Sequence, residues 1–378
     1  MATKEERFSL KDYLFNKKKV DKISTEISAV YPEFNDTLFV RTVLKKFPEL
    51  ELMERVYWIR DCLREYLPKE YRTAVSILIE SLPEASDPAK SDNDFGDFIY
   101  APYSYFIAEY GCTEKDLAYS LAALKECTTR FSVEGPIRFF INAFPKETYV
   151  ELTQWTKDNH YHVRRAASEG TRPFLPWAKK IIPDFKDAIV FLDLLHDDNT
   201  RFVTRSVANH MNDISKLDAK TTIALLRKWE KDKKQNEKEM QFITQHSLRT
   251  LVKEGNSEAL AMLGYSAGNI VVQDFSIETK IVTVGETLEF SFDIVSKSSN
   301  VQNLMIDYVL SFKKANGSLA PKTFKIAKKK IKDKETMRIQ KSHPLKLMTT
   351  RTLYSGEHTV SLQINGQSFG ELTFELKG

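Results

Sequence analysis

One spacing constrains this chain more than any other feature. Three segments align without gaps: HYHVRRAASEG (His160–Gly170), TRFVTRSVANH (Thr200–His210) and MQFITQHSLRT (Met240–Thr250). Val163, Val203 and Ile243 fall in register 40 residues apart, as do Arg165, Arg205 and Gln245, followed two residues on by Ala167, Val207 and Ser247. A unit of that length holds a helix pair that cannot bury its apolar face alone, so it must stack on its neighbours. The expected result is a row of helix pairs with a concave side. An irregular helical bundle is the alternative.

A 40-residue helical period is that of HEAT or armadillo arrays. The helical pattern extends over residues 1–264, with apolar residues at three and four, as in Phe39-Val40-Val43-Leu44 and Ala118-Leu121-Ala122-Leu124. Pro48, Pro68, Pro83 and Pro145 supply stops, and the polar Glu84–Asp97 segment reads as a loop. Near Gly264 the period changes. Alternating runs follow: FSIETKIVTV, LEFSFDIV, LMIDYVLSFKK, KTFKIAKKKI, HTVSLQI and GELTFELK, punctuated by Gly285-Glu286, Asn316-Gly317, Gly356 and Asn365-Gly366. Six or seven such strands predict a sandwich. The expected fold class is therefore an all-α HEAT-like superhelical solenoid over residues 1–264, followed by an all-β immunoglobulin-like sandwich domain over residues 268–378.

Composition narrows the function classes. At 42% hydrophobic and 29% charged residues the chain should be globular, and its 378 residues exceed one ordinary core. It has no apolar run of about 18 residues and no apolar signal core, which predicts a cytoplasmic protein without a membrane span. Cys62, Cys112 and Cys127 lack CxxC spacing and read as structural thiols. His160, His162 and His210 lack metal-ligand spacing, so no metal is expected. GxxxxGK[ST], GxGxxG and GxSxG are all missing, which argues against a nucleotide cofactor or a nucleophile elbow. Net charge is +4, but residues 267–378 carry sixteen Lys+Arg against eleven Asp+Glu, concentrated between Lys313 and Arg351. Local basic clusters on a near-neutral protein suit a docked polyanion.

The charged residues in the repeat are oddly mixed. In HYHVRRAASEGTRPFLPW, Arg165 and Glu169 share a helix face, Arg164 adjoins them, and Arg172 and Trp177 follow the expected helix end at Gly170. Glu134 lies between Arg130 and Arg138 in RFSVEGPIRFF, and the next repeat carries Arg205, Asn209, Asn212 and Asp213. Each pair taken singly is an ordinary solvated ion pair. Together they suggest a cationic groove with carboxylates set into it. The run Lys328-Lys329-Lys330-Ile-Lys332-Asp-Lys334, at a strand turn, would extend a phosphate-contacting surface.

HVRRAASEGTRPFLPW resembles the DNA alkylation repair family of HEAT-like glycosylases, in particular its AlkC branch. RFSVEGPIRFFI and TRFVTRSVANHMNDISK resemble neighbouring segments of that branch, and the β-rich tail resembles the immunoglobulin-like domain that some of its members append. Gly135-Pro136 departs from the small or apolar helix formers expected there. The resemblance implies a monofunctional glycosylase that removes cationic bases such as 3-methyladenine and 3-methylcytosine from double-stranded DNA, working as a monomer without cofactor or metal. Glu169 would be the first carboxylate, with Glu134 and Asp213 beside it. Arg164, Arg165, Arg172, Arg205, Asn209, Lys329 and Lys330 would hold DNA, and Trp177 or Trp155 would contact the sugar or base. A cationic leaving group needs no general acid, so carboxylates suffice to stabilise the sugar cation and orient water. The competing expectation is a non-catalytic HEAT-repeat scaffold that binds nucleic acid or protein.

Overall fold

A computed structural model describes residues 9–89, 95–266, 268–347 and 352–378. The Glu84–Asp97 segment is loop where described, with residues 90–94 outside the described set; Arg351 also lies outside it. The first part of the chain is helical: α1 (Leu10–Leu14), α2 (Lys17–Val30), α3 (Asp36–Lys46), α4 (Leu52–Tyr66), α5 (Tyr71–Glu80), α6 (Ala101–Gly111), α7 (Leu117–Thr128) and α8 (Ile137–Ala143). It continues with α9 (Pro145–Trp155), α10 (Tyr161–Gly170), α11 (Ile189–Leu195), α12 (Arg201–Ser215), α13 (Ala219–Asp232), α14 (Glu237–Ser247), α15 (Arg249–Lys253) and α16 (Ser257–Met262).

Local chemistry explains many of these boundaries. The Asn16 side chain accepts the Lys19 N–H to start α2, Glu70 accepts from Arg72 and Thr73 to start α5, and Glu51 and Glu54 cap α4 reciprocally. Pro68 and Pro83 follow the ends of α4 and α5 as stops. Pro145 instead opens α9, where a missing N–H costs nothing. No helix among the described residues is long and apolar enough to cross a membrane.

The chain divides into two compact units. The first comprises Met1–Ile214 with Arg227–His246, the second Ser215–Leu226 with Ser247–Gly378. In the first, α2 packs on α3, α4 on α6, α6 on α7, and α10 on α7, α9 and α11. The 40-residue register falls on α10, α12 and α14, and Val163, Val203 and Ile243 are all buried. That shared burial is the physical content of the repeat.

The second unit is a sandwich of β1 (Ile270–Ile277), β2 (Ile281–Thr283), β3 (Thr287–Ser296), β4 (Gln302–Lys313), β5 (Leu319–Ile331), β6 (Thr336–Pro344), β7 (Gly356–Ile364) and β8 (Gln367–Lys377). One sheet has the order β1-β3-β6, the other β2-β8-β7-β4-β5, and pairing is antiparallel except for β2 with β8. Leu288, Phe290, Phe292 and Ile294 of β3 meet Leu304, Ile306, Tyr308 and Leu310 of β4 in the core. The run FSIETKIVTV, expected as one element, splits between sheets, and β6 is an additional strand. The Asn365-Gly366 turn takes φ of 47° and 80°, as a tight hairpin turn requires.

Helix ends and strands begin where the period changes, yet the last helical turns belong with the sandwich. Gly255 and Gly366 approach so closely that a Cβ on Gly366 would lie 2.4 Å from the Gly255 carbonyl oxygen. Gln363 and Thr323 also donate to the Lys253 carbonyl.

Candidate active site

Helix α10 opens with the His160 ring accepting the His162 N–H and closes at Gly170. Its last turn carries Glu169 inward. A Cβ at position 170 would sit 2.5 Å from Ile137 Cγ2 and 3.9 Å from the Glu134 backbone, so this glycine lets the start of α8 press against the end of α10. Glu134 and Glu169 are thereby brought to one place from elements 35 residues apart.

The charged side chains form one alternating line. Arg165 Nη1 donates to Ser132 Oγ at 2.6 Å and reaches Glu134 Oε2 at 3.4 Å, while its Nη2 is 3.7 Å from Glu169 Oε1. Arg172 Nη1 donates to the same Glu169 oxygen at 2.6 Å, and its Nε donates to Asp213 Oδ2 at 2.9 Å. Ser206 Oγ donates to the other Glu169 oxygen at 2.7 Å. The order is Glu134, Arg165, Glu169, Arg172, Asp213. Phe202 and Phe95 flank the Arg165 guanidinium, at 4.6 and 5.3 Å from the ring centres.

Burial grades this line. The side chains of Glu169 and Asp213 are 6% and 2% exposed, and that of Glu134 is 26% exposed. Burial alone pushes the Glu169 carboxyl up, but the charges of Arg165 and Arg172 and the Ser206 and Arg172 hydrogen bonds outweigh it, and the pKa falls below the ordinary value. Behind the line, Arg138 is fully buried and donates to the carbonyls of Lys179 and Arg172. Burial first, then the positive charge of Arg172, lowers its pKa to about 10, still charged at neutral pH. His210 is also buried, its Nδ1–H donating to the Ser168 carbonyl, and burial lowers its pKa to about 4.

Glu134 opens into a cleft lined by Phe98, Tyr105, Phe131, Pro136 and Trp177. Trp177 is 82% exposed and holds φ at 59°, a left-handed backbone uncommon for so bulky a residue. The loop after α10 thus presents an indole to solvent at the mouth of the cleft.

Several expected roles are revised by this geometry. Arg165 and Arg172 turn inward onto carboxylates and are buried, so neither presents a guanidinium to a phosphate. Arg164 is spent on Asp198, with Nε to Oδ2 at 2.6 Å, and on the carbonyls of Asp158 and Asn159. Trp155 is core, its indole N–H donating to Glu151. Arg205 is half-buried on α12, and Asn209 accepts a hydrogen bond from His246 at 2.8 Å. Lys329 and Lys330 lie exposed on β5 in the sandwich unit rather than in its turn. Ser132 and Ser206 escaped the sequence reading, since a serine carries no pattern of its own, and Arg138, expected beside Glu134, instead holds the Lys179 and Arg172 carbonyls.

Comparisons with known proteins agree on the neighbourhood. Residues 112–250 match the family model described as DNA alkylation repair enzyme, and residues 271–378 match that of the C-terminal Ig-like domain of the uncharacterised protein YhaZ. The chain is 34% identical over 369 residues to the uncharacterized protein YhaZ of Bacillus subtilis strain 168, covering 96% of this chain and 98% of that one. It is also similar to the alkylpurine DNA glycosylase AlkC of Pseudomonas fluorescens, solved bound to DNA containing an abasic site analog. That likeness has a TM-score of 0.86 at 30% identity, over 98% of this chain and 100% of that one.

Proposed function

Because the chain belongs to the DNA alkylation repair family, in its AlkC-type branch, we propose that it is a monofunctional DNA glycosylase of base excision repair. Its substrates on this reading are cationic N-alkylated bases, 3-methyladenine and 3-methylcytosine, in double-stranded DNA. It works as a monomer in the cytoplasm, with the helix pairs of the first unit forming a HEAT-like concave face. The observation that carries the proposal is the alternating line of charges that ends at a solvent-facing Glu134 beside Trp177.

The chemistry follows from that line. A cationic base leaves C1′ with the electron pair of the glycosidic bond and becomes neutral, so no proton need be supplied. Positive charge develops on the sugar, and water must be aimed at C1′ and lose a proton. Glu134 has the access to do both: its carboxylate faces the sugar cation and takes the proton as the C–O bond forms. Glu169 and Asp213 hold Arg172, and Glu169 also faces Arg165, whose guanidinium reaches Glu134 at 3.4 Å. Arg165 and Arg172, with Arg138 behind them, offset the three carboxylates, and of the three it is Glu134 whose side chain is the most exposed, so the negative charge within reach of a cationic lesion is its carboxylate. The ranking of Glu169 first therefore gives way to Glu134. Trp177 packs against the exposed sugar or base, and Arg205, Asn209, Lys329 and Lys330 are the remaining candidates for the DNA backbone.

The test is base release from methylated duplex DNA with the products resolved. Wild type should free 3-methyladenine, and folded Glu134→Gln should not. A folded Glu134→Gln variant that excises at the wild-type rate refutes the assignment, and a wild type that binds DNA without releasing base supports the scaffold instead.

A further inference from the structure

We infer that Tyr105 is a positioning residue for Glu134, acting through the glycine that follows it; the inference rests on the glycosylase reading of the site. Tyr105 lies on α6, is 8% exposed, and lines the same cleft as Glu134 and Gly135. Its ring is held edge-on by Tyr57 and Phe139, with centroids 5.2 and 6.4 Å away. A Cβ built on Gly135 would lie 2.4 Å from the Tyr105 hydroxyl oxygen and 3.3 Å from the ring carbon that bears it, with nothing else within 4 Å among the described residues beyond its own chain neighbours. Gly135 is not among the positive-φ glycines, so space and not backbone conformation requires glycine there. The hydroxyl occupies the volume where a side chain at 135 would stand, so the residue after Glu134 lies directly against a ring held in place by its neighbours.

This contact matters because Glu134 is otherwise loosely held. Its carboxylate meets Arg165 at 3.4 Å, and it sits in a turn ahead of the seven-residue α8. The height of its carboxylate in the cleft is therefore set by its backbone. A misplacement of about 1 Å at a reacting centre costs on the order of 10²-fold in rate. The departure at Gly135-Pro136 thus has a physical reason: glycine admits the tyrosine hydroxyl, and proline starts the helix.

A complementary pair of substitutions tests this. Tyr105→Phe deletes the hydroxyl, and Gly135→Ala adds a methyl into the same volume. Single-turnover release of 3-methyladenine and affinity for the methylated duplex are measured for wild type, both singles and the double. Each single variant should lose roughly 10- to 100-fold in rate at unchanged affinity. The double should recover to within a few fold of wild type, since the methyl then meets the ring carbon at 3.3 Å. A Tyr105→Phe variant at the wild-type rate overturns the inference. So does a double no faster than Tyr105→Phe, which would mean that the hydroxyl acts on water or lesion directly. A wild type that releases no base refutes the glycosylase reading instead. The contact is then read from melting temperatures: Gly135→Ala lowering them in wild type but not in Tyr105→Phe supports it, and additive losses overturn it.

Discussion

Glu169→Gln and Glu134→Gln should have opposite profiles, and the structure sets the size of each effect. Glu169 joins Arg172 at 2.6 Å, Ser206 at 2.7 Å and Arg165 at 3.7 Å, all out of solvent. Glutamine keeps the volume but removes the charge from between two buried guanidiniums. Breaking a buried pair from one side costs about 3–5 kcal/mol. Arg172 keeps Asp213, and Arg165 keeps Ser132 and Glu134, which places the cost at the lower end, about 3 kcal/mol. At roughly 2–4 °C per kcal/mol for a unit of this size, melting should fall by about 6–12 °C. Glu134 makes one long contact from a partly exposed side chain, so its loss should cost about 0–1 kcal/mol. Activity runs the other way: Glu134→Gln should lower base release by on the order of 10²–10³, and Glu169→Gln by less. The acid side adds a check with a fixed sign. The folded pKa of Glu169 lies below its ordinary 4.5, so its stabilisation is present above that value and lost as pH falls through the lowered one. The melting gap between wild type and Glu169→Gln should hold from about pH 5 to pH 8 and close in stronger acid. Equal melting of the two proteins at neutral pH, measured by circular dichroism, would refute the structural role given to Glu169.

Three further outcomes follow from single residues. Trp177→Ala should leave melting within about 0.5 kcal/mol of wild type, because the ring is exposed, while base release falls; a variant equal to wild type in both removes Trp177 from the site. Asp307 in β4 is buried and its pKa is pushed up to about 6, chiefly by burial, against the pull of Lys325 and Lys328. A raised carboxyl stabilises below its unfolded pKa and loses that contribution as pH rises through the folded one. Asp307→Asn should therefore raise the melting temperature at pH 7.5 and leave it unchanged at pH 3.5, and equal shifts at both would contradict this. If Lys329 and Lys330 touch phosphates, replacing both with Gln should flatten the dependence of log affinity on log salt by about 1.8; an unchanged slope excludes them.

The sequence was most legible where one spacing had one physical cause. Val163, Val203 and Ile243 recur because each is the buried point of a stacked helix, and the alternation of β3 records the inner face of the sandwich. The run FSIETKIVTV misled because the switch from β1 to β2 occurs without a strong turn residue, and β6 (TMRIQKSHP) hid because its outward positions are long polar side chains. At the site, residue types were legible and their directions were not. Arg165 and Glu169 were expected to meet from their four-residue spacing, and they do. The partners that decide what each arginine is for come from other helices. Arg172 meets Asp213 across 41 residues, Arg164 meets Asp198 across 34, and Arg201 meets Glu239 across 38. These separations cluster near one repeat length, so the register that aligns the apolar residues also aligns cations with the carboxylates one unit on. An arginine in such an array answers first to the next repeat. Arg165 answers instead to Glu134, 31 residues upstream, and to Glu169 on its own helix, and this is why the positive charge of HVRRAASEGTR marks a carboxylate-holding frame rather than a phosphate grip.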